Sequence, residues 1–214
     1  MTMAKTRNPA ETTTRLLDAA RDLIRARGYA GTTVDDICAA AGVTKGAFFH
    51  HFESKERLGV AAIEAFGARA AAIFSAAPYA ANPDPRERVL GYVDFRAAML
   101  QGDIALYTCL MGATVQEVYN THPDLRAACD HGMSEHVADL TRDIEAAKAR
   151  HAPDAPWSAE SVGYFMQTVL QGAFIFAKAK QDPKVALDSL AHLRGYLAAI
   201  LGQPAEQPRM ETHS

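Results

Sequence analysis

Two short stretches with helix punctuation, separated by a single turn, constrain this chain most. The first runs from Thr33 to Ala41 and carries Asp36 three residues after the threonine, which is the spacing of a capping box. Gly42 ends it, and Thr44 can cap a second helix that reaches about Phe52. Two helices this short, joined by so tight a turn, are typical of a helix-turn-helix motif.

The apolar residues of this segment indicate which helix faces are buried. Ile37 and Val43 would fill the angle between the two helices. Phe48 and Phe52 are four residues apart and would pack onto the helix that precedes the motif. The opposite side of the second helix would then face outward.

The rest of the chain also has the composition and periodicity of helix. Apolar residues make up 49% of the sequence and alanine is abundant, so a sizeable helical core is expected. The first helix would begin at Asn8 and Pro9 and end at Gly28. Later helices are expected over 54–77, 84–102, 103–119, 123–150, 158–180 and 182–202. We therefore predict an all-α protein of about nine helices.

Bulk properties exclude several classes of function. Cys38, Cys109 and Cys129 are odd in number and show no paired spacing, which fits a reducing cytoplasm. The N-terminus lacks a signal-peptide pattern, and no apolar run reaches the roughly 18 residues of a membrane span. Since the sequence has no glycine-rich phosphate loop, Gly-x-Ser-x-Gly elbow or Cys-x-x-Cys pair, we predict no cofactor and no enzyme activity.

The net charge of −3 hides an asymmetry between the two ends of the chain. Residues 1–58 carry nine Lys/Arg and seven Asp/Glu, a balance of +2, whereas the remainder carries 13 against 18, a balance of −5. A polyanionic partner would therefore meet the N-terminal part.

The second helix of the motif has features that suit DNA. Gly46 and Ala47 are small enough for close approach, and Lys45 lies beside the free N–H groups of the helix start, which together bind phosphate. The adjacent His50 and His51 point about 100° apart, so they form a poor chelating pair. We expect them to donate to a base edge and a phosphate, and we predict no metal site.

Residues 28–58, GYAGTTVDDICAAAGVTKGAFFHHFESKERL, resemble the N-terminal signature of the TetR/AcrR family of transcriptional regulators. The resemblance implies a homodimer that binds a palindromic operator and a C-terminal bundle that binds a small effector. Phe49 stands where the family usually has a tyrosine whose hydroxyl contacts a phosphate, and phenylalanine cannot make that contact. Cys38 stands where alanine is usual and is interpreted as a core residue.

Carried over by position, the resemblance assigns contacts to double-stranded operator DNA. Thr33 and Lys55 would hold phosphates, and Lys55→Ala would weaken binding to all sequences and lower its salt dependence. The N-terminal arm with Lys5 and Arg7 would either reach the DNA or form a solvated tail. The full predicted set is Thr33, Thr44, Lys45, Gly46, Ala47, Phe49, His50, His51 and Lys55.

These assignments divide the chain into a DNA-binding domain at 1–53, a ligand-binding and dimerisation domain at 54–203, and a disordered tail at 204–214. The resemblance implies that the last two helices of each subunit build the dimer interface; a plain intramolecular core is the alternative. The predicted interface residues are Val169, Gly172, Ala173, Phe176, Ala186, Leu190, Leu193, Leu197 and Leu201.

The middle of the chain holds a candidate effector pocket. Its predicted residues are Phe95, Met99, Tyr107, Cys109, Met111, Val115, Tyr119, Phe165 and Met166, which suit a small hydrophobic or electrophilic molecule. Residues 107–126 also resemble a family subgroup that answers electrophiles or unsaturated acids, and Cys109 would be either a sensing thiol or an inert buried one.

Two alternatives remain open. His131 and Glu135, four residues apart, would be either half of a metal site or a solvated pair on a helix face. The leading function is a ligand-released, DNA-binding repressor in the cytoplasm. Its rival is a helical protein or enzyme that binds a small molecule without specific DNA binding.

Overall fold

The computed structural model describes residues 9–202, and these residues form helices and no strands. The ten α-helices are α1 Pro9–Arg27, α2 Val34–Ala41, α3 Lys45–His51, α4 Lys55–Ser75, α5 Pro85–Ala98, α6 Ile104–Tyr107, α7 Leu110–Val118, α8 Pro123–His151, α9 Ala159–Lys180 and α10 Lys184–Ile200, with a short 3-10 helix at Pro78–Ala81. The all-α prediction is confirmed. Asn8, the arm with Lys5 and Arg7, and the tail 204–214 lie outside the described residues.

One of the predicted helices is divided into two helices, α6 and α7, in the structure. The run expected over 103–119 is interrupted because Thr108 and Cys109 both have extended backbones, with ψ of 156° and 126°. Cys109 then caps α7, its sulfur accepting the N–H of Gly112 at 3.4 Å. This break accounts for the extra α-helix.

The described chain divides into two compact units. The first unit contains the residues up to Ile73 together with Gln101–His136 and Lys178–Asp182. The second unit contains Phe74–Leu100, Val137–Ala177 and the residues from Pro183 onward.

A single core holds the first unit together. α1 contributes Leu16, which has no exposed surface, and α3 contributes Phe48, which is equally buried. Leu58 of α4 and Leu125 of α8 are also completely buried in the same cluster. By length and composition alone α4 could cross a membrane, which is weak evidence for a single helix; 28% of its apolar window is buried within the described residues.

The second unit is built mainly from α5, α9 and α10. Val89 and Tyr92 of α5 and Met166 of α9 are buried within it, as is the leucine stripe of α10. A buried polar contact lies at the start of α5. There His151 Nε2 approaches Asp84 Oδ1 at 2.7 Å, with 1% of the histidine side chain exposed.

The Asp84 contact predicts how stability depends on pH. Burial acts to raise the pKa of this carboxyl, but the hydrogen bonds from His151 and from the Arg86 N–H hold it below its ordinary value of 3.8. A carboxyl whose pKa is lower in the folded state stabilises the fold above its ordinary pKa and loses that contribution as pH falls through the folded value.

We therefore expect Asp84→Asn to lower the free energy of unfolding by about 1–3 kcal/mol at neutral pH, measured by denaturant titration. The difference between the two proteins should shrink below about pH 4. Asp154→Asn changes an exposed aspartate of the same unit and should have no effect. A difference that stays constant down to pH 2 would contradict the assignment.

Candidate nucleic-acid interface

Local hydrogen bonds fix α2, the turn and α3. Thr33 Oγ1 accepts the N–H of Asp36 at 3.1 Å while Asp36 accepts the N–H of Thr33 at 3.0 Å, which completes the predicted capping box. Gly42 ends α2 with a φ of 61°, in the left-handed region that glycine tolerates. Thr44 Oγ1 accepts the N–H of Ala47 at 3.1 Å and starts α3.

α3 has one buried side and one exposed side. Phe48 is fully buried and Phe52 packs against the same core, as the sequence predicts. Thr44, Lys45, Gly46, Phe49 and His50 are exposed along the other side. Phe49 is 52% exposed, so its ring lies on the surface without a hydroxyl.

Lys45 is the cation at the exposed start of α3. Its ammonium lies 2.9 Å from Asp35 Oδ1, and both side chains are more than half exposed. An ion pair this solvated is weak, so it can exchange Asp35 for a phosphate or a base edge.

Two of the predicted DNA contacts are less exposed than the others. His51 is half-buried, and its Nδ1 lies 3.3 Å from Thr13 Oγ1 of α1. Ala47 is also half-buried. The two histidine rings meet edge-on at 5.3 Å but diverge in environment, since His50 is exposed.

Lys55, predicted to contact a phosphate, makes contacts within the chain. Its ammonium donates to the backbone carbonyls of Tyr29 and Thr32, both at 3.1 Å, and lies 4.1 Å from the centre of the Tyr29 ring. Burial lowers its pKa, and the nearby Glu117 carboxylate opposes that shift. The side chain therefore stabilises the loop between α1 and α2, and this geometry does not support the predicted phosphate contact.

Sequence reasoning missed Glu117 of α7. Its carboxylate accepts the N–H groups of Tyr29 at 3.1 Å and Ala30 at 2.8 Å, on the same loop that Lys55 holds by its carbonyls. The contact spans 88 residues, and no local pattern in the sequence signals it.

The predicted pocket residues are spread over both units. Tyr107, Cys109, Met111, Val115 and Tyr119 belong to the first, where Met111 is buried and Tyr119 is exposed. Phe95, Met99, Phe165 and Met166 belong to the second. There Phe95 packs on Tyr79 at 5.7 Å, Phe165 on Tyr196 at 5.1 Å, and Met166 is fully buried.

Two cations that the sequence did not reveal lie near Cys109. Burial lowers the pKa of both Arg25 and Lys178, and the charge of a Cys109 thiolate would oppose the shift in each. Lys178 Nζ donates to the carbonyl of Arg25 at 3.2 Å, and Arg25 donates to the carbonyl of Leu106. Cys109 itself is half-buried.

The predicted dimer interface needs a correction at six of its nine residues, one in α9 and five at or after α10. The residues buried inside the second unit are Ala173, Ala186, Leu190, Leu193, Leu197 and Leu201. They form intramolecular core, which is the alternative that the sequence left open. Val169 and Gly172 are half-buried, and Phe176 is 57% exposed.

An exposed apolar face lies on the same two helices, and it includes Phe176 of the predicted set. Its large residues are Tyr164, Phe165, Ile175 and Phe176 of α9 and Tyr196 of α10, whose ring contacts that of Phe165. We call this set the outer apolar face. A Cβ added at Gly172 or Gly195 would meet no atom within 4 Å in the single chain, so the surface is open at both glycines.

No metal centre forms within residues 9–202, where no three potential ligand side chains converge. His131 Nε2 and Glu135 Oε1 are 3.4 Å apart, and both side chains are about 70% exposed, at 72% and 68%. This arrangement is that of a solvated pair on a helix face.

A capped helix-turn-helix with one exposed helix side is typical of DNA-binding proteins, and comparisons with known proteins give the family. Residues 16–63 match a family model described as bacterial regulatory proteins, tetR family. Residues 85–193 match the tetracyclin repressor-like C-terminal domain. The chain belongs to the TetR family of transcriptional regulators and is not an enzyme.

Relatives and solved structures agree with this assignment. The HTH-type transcriptional repressor NemR of Escherichia coli strain K12 is 25% identical, over 88% of this chain and 94% of its own length. The transcriptional regulator AcuR of Cereibacter sphaeroides is 30% identical, over 78% and 77%. The crystal structure of reduced E. coli NemR superimposes with a TM-score of 0.79 at 24% identity, covering 91% of this chain and 99% of that one.

Lys55 gives a prediction that separates a structural role from DNA contact. Lys55→Met keeps the aliphatic stem but removes the donor of two backbone carbonyls, so the free energy of unfolding should fall by about 1–3 kcal/mol. The slope of operator affinity against salt should stay unchanged, because no phosphate contact is lost.

Arg57→Met is the matched control, since Arg57 is an exposed cation of the same helix. It should leave the unfolding free energy unchanged in the same denaturant titration. A salt slope reduced by about one in Lys55→Met, with unaltered stability, would restore the phosphate contact.

Proposed function

We propose that this regulator is a repressor that binds a palindromic operator as a homodimer and is released by a small-molecule effector. The exposed side of α3 is the observation that carries the proposal. Lys45, Phe49 and His50 line this side. Caps and core residues hold α3 in place, so these three side chains are not needed for folding. We propose that it acts in the cytoplasm.

The proposed DNA contacts follow from which side chains are exposed. Lys45 and His50 would donate to base edges or phosphates, and Ala47 lies at the edge of the surface. Thr33, Thr44 and Gly46 lie at helix starts, where backbone N–H groups favour phosphate. Phe49 would pack against the sugar–phosphate edge. Residues 1–53 would thus act as the DNA-binding domain and residues 54–203 as the effector-binding and dimerisation domain.

The outer apolar face supports dimerisation. A helix-on-helix interface buries aromatic and aliphatic side chains, and α9 and α10 expose such side chains. A symmetric pair would contact itself through the same patch and place two recognition helices for successive major-groove half-sites.

The surroundings of Cys109 support an electrophilic effector. A thiol reacts as the thiolate, which nearby cations and a helix N-terminus stabilise. Arg25 and Lys178 interact electrostatically with Cys109, which lies at the start of α7. Modification of Cys109 would favour a conformation of the dimer with lower operator affinity. This requires that the modification stabilise that conformation more than the DNA-binding one.

The experiment that tests the proposed function is a mobility shift with the DNA upstream of the protein's own gene. Specific competitor, non-specific competitor and several salt concentrations are included. A specific complex is expected. The rival function, small-molecule binding without DNA recognition, is favoured if no specific shift appears at any salt.

Lys45→Ala is expected to weaken operator binding about tenfold and to reduce the salt slope by about one, because an exposed cation on the DNA-reading surface is lost. Arg150→Ala removes an exposed cation of α8 and serves as the control. Equal affinities for wild type and Lys45→Ala would remove Lys45 from the interface.

Phe176→Glu is expected to convert the dimer to a monomer, because it places a charge in the proposed interface. Light scattering coupled to size-exclusion chromatography measures the mass. Leu106→Glu is the control, since Leu106 is a 61% exposed apolar residue outside the outer apolar face. A dimeric Phe176→Glu protein would place the interface elsewhere.

Cys109→Ser is expected to abolish release of the operator complex by N-ethylmaleimide, because the hydroxyl can still cap α7 but is not alkylated. Cys38→Ala, which removes a buried thiol, should respond like wild type. A full response in Cys109→Ser would show that this thiol is not the sensor.

A further inference from the structure

The loop between α1 and α2, residues 28–32, is held from two sides by opposite charges. Glu117 accepts its N–H groups at Tyr29 and Ala30, and Lys55 donates to its carbonyls at Tyr29 and Thr32. These are charge-assisted hydrogen bonds, which are the stronger kind. Each side chain therefore fixes the path of the chain into α2.

Gly28 makes the contact with Glu117 possible. It has a φ of 83°, and a Cβ at this position would lie 2.2 Å from Glu117 Oε1. The absence of a side chain thus serves both the backbone conformation and the close approach of the carboxylate. Any side chain at position 28 would therefore collide with the Glu117 carboxylate.

The ring of Tyr29 makes further contacts between the α1–α2 loop and its neighbours. Lys55 lies over the ring, and His122, which follows α7, meets it edge-on with centroids 5.2 Å apart. The loop therefore contacts residues at the end of α7 through both its backbone and a side chain.

α7 links this junction to Cys109. It is nine residues long, Cys109 caps its start and Glu117 lies in its last turn. A helix this short moves as one body, so a displacement at its start reaches its end. Glu117 is solvent-exposed, and its contact can open without unfolding the core.

We propose that Glu117 is a positioning residue that couples α7 to the DNA-binding helices: its hold on Tyr29 and Ala30 sets the position of the α1–α2 loop and passes a displacement of α7 to α2 and α3. This inference rests on the proposed function, because it states how an effector-induced change would reach the operator-binding surface.

A double-mutant cycle on the full chain tests the coupling. Glu117→Gln keeps the side-chain shape and removes its charge. Cys109→Leu perturbs the other end of α7, because it removes the acceptor of the Gly112 N–H and adds bulk at a half-buried position. Backbone amide exchange at Tyr29 and Ala30 is measured without DNA, and operator affinity is measured by mobility shift.

Glu117→Gln should speed exchange of both amides about tenfold and weaken operator binding about fivefold. Cys109→Leu should do the same in the wild-type background and add less than about twofold in the Glu117→Gln background. Glu145→Gln, which changes an exposed glutamate of α8, is the control and should change neither. Circular dichroism and thermal melting check folding, and Cys109→Val replaces Cys109→Leu where the larger side chain prevents it.

Unchanged exchange at Tyr29 and Ala30 in Glu117→Gln overturns the proposal. Effects of the two substitutions that simply add overturn it as well, because they show that α7 does not act through Glu117. The exchange cycle needs no operator, so its result decides the coupling on its own. Absence of a specific complex with wild type would instead refute the proposed function.

Discussion

The burial of Phe48 and Ile37 in one cluster with Leu16 is the interaction on which the position of α3 depends. α2 has eight residues and α3 has seven, and helices shorter than about 12–15 residues are marginal in water on their own. All three side chains have no exposed surface. Tertiary packing, assisted by the caps, therefore holds α3 in place. Since the buried side does this, the residues on the exposed side are available for recognition.

Features that depend on neighbouring residues were predictable from the sequence. The caps at Thr33 and Thr44 and the left-handed turn at Gly42 each involve groups no more than four residues apart. The alternation of Phe48 and Phe52 with exposed residues then fixes which side of α3 faces out. The helix-turn-helix and most of its surface followed from these local rules.

Features that depend on distant partners were not predictable. The local sequence indicates that Lys55 is an exposed cation at a helix start, yet its acceptors lie 23 and 26 residues earlier in the chain. The leucine stripe of α10 signals a buried face, but periodicity does not distinguish burial against the same chain from burial against a partner. In this chain the stripe of α10 packs internally, whereas Phe176 of α9, which was also predicted at the interface, is exposed.

The first unit is assembled from three separate stretches of chain, and this affects when it can fold during synthesis. Leu110 and Leu125 belong to the same core as Leu16 and Phe48, so that core stays incomplete until α7 and the start of α8 have left the ribosome. The helix-turn-helix is synthesised before α7 and α8, but its core is completed only after they have emerged. A nascent or truncated chain that ends soon after α4 would carry α2 and α3 on a partly open core.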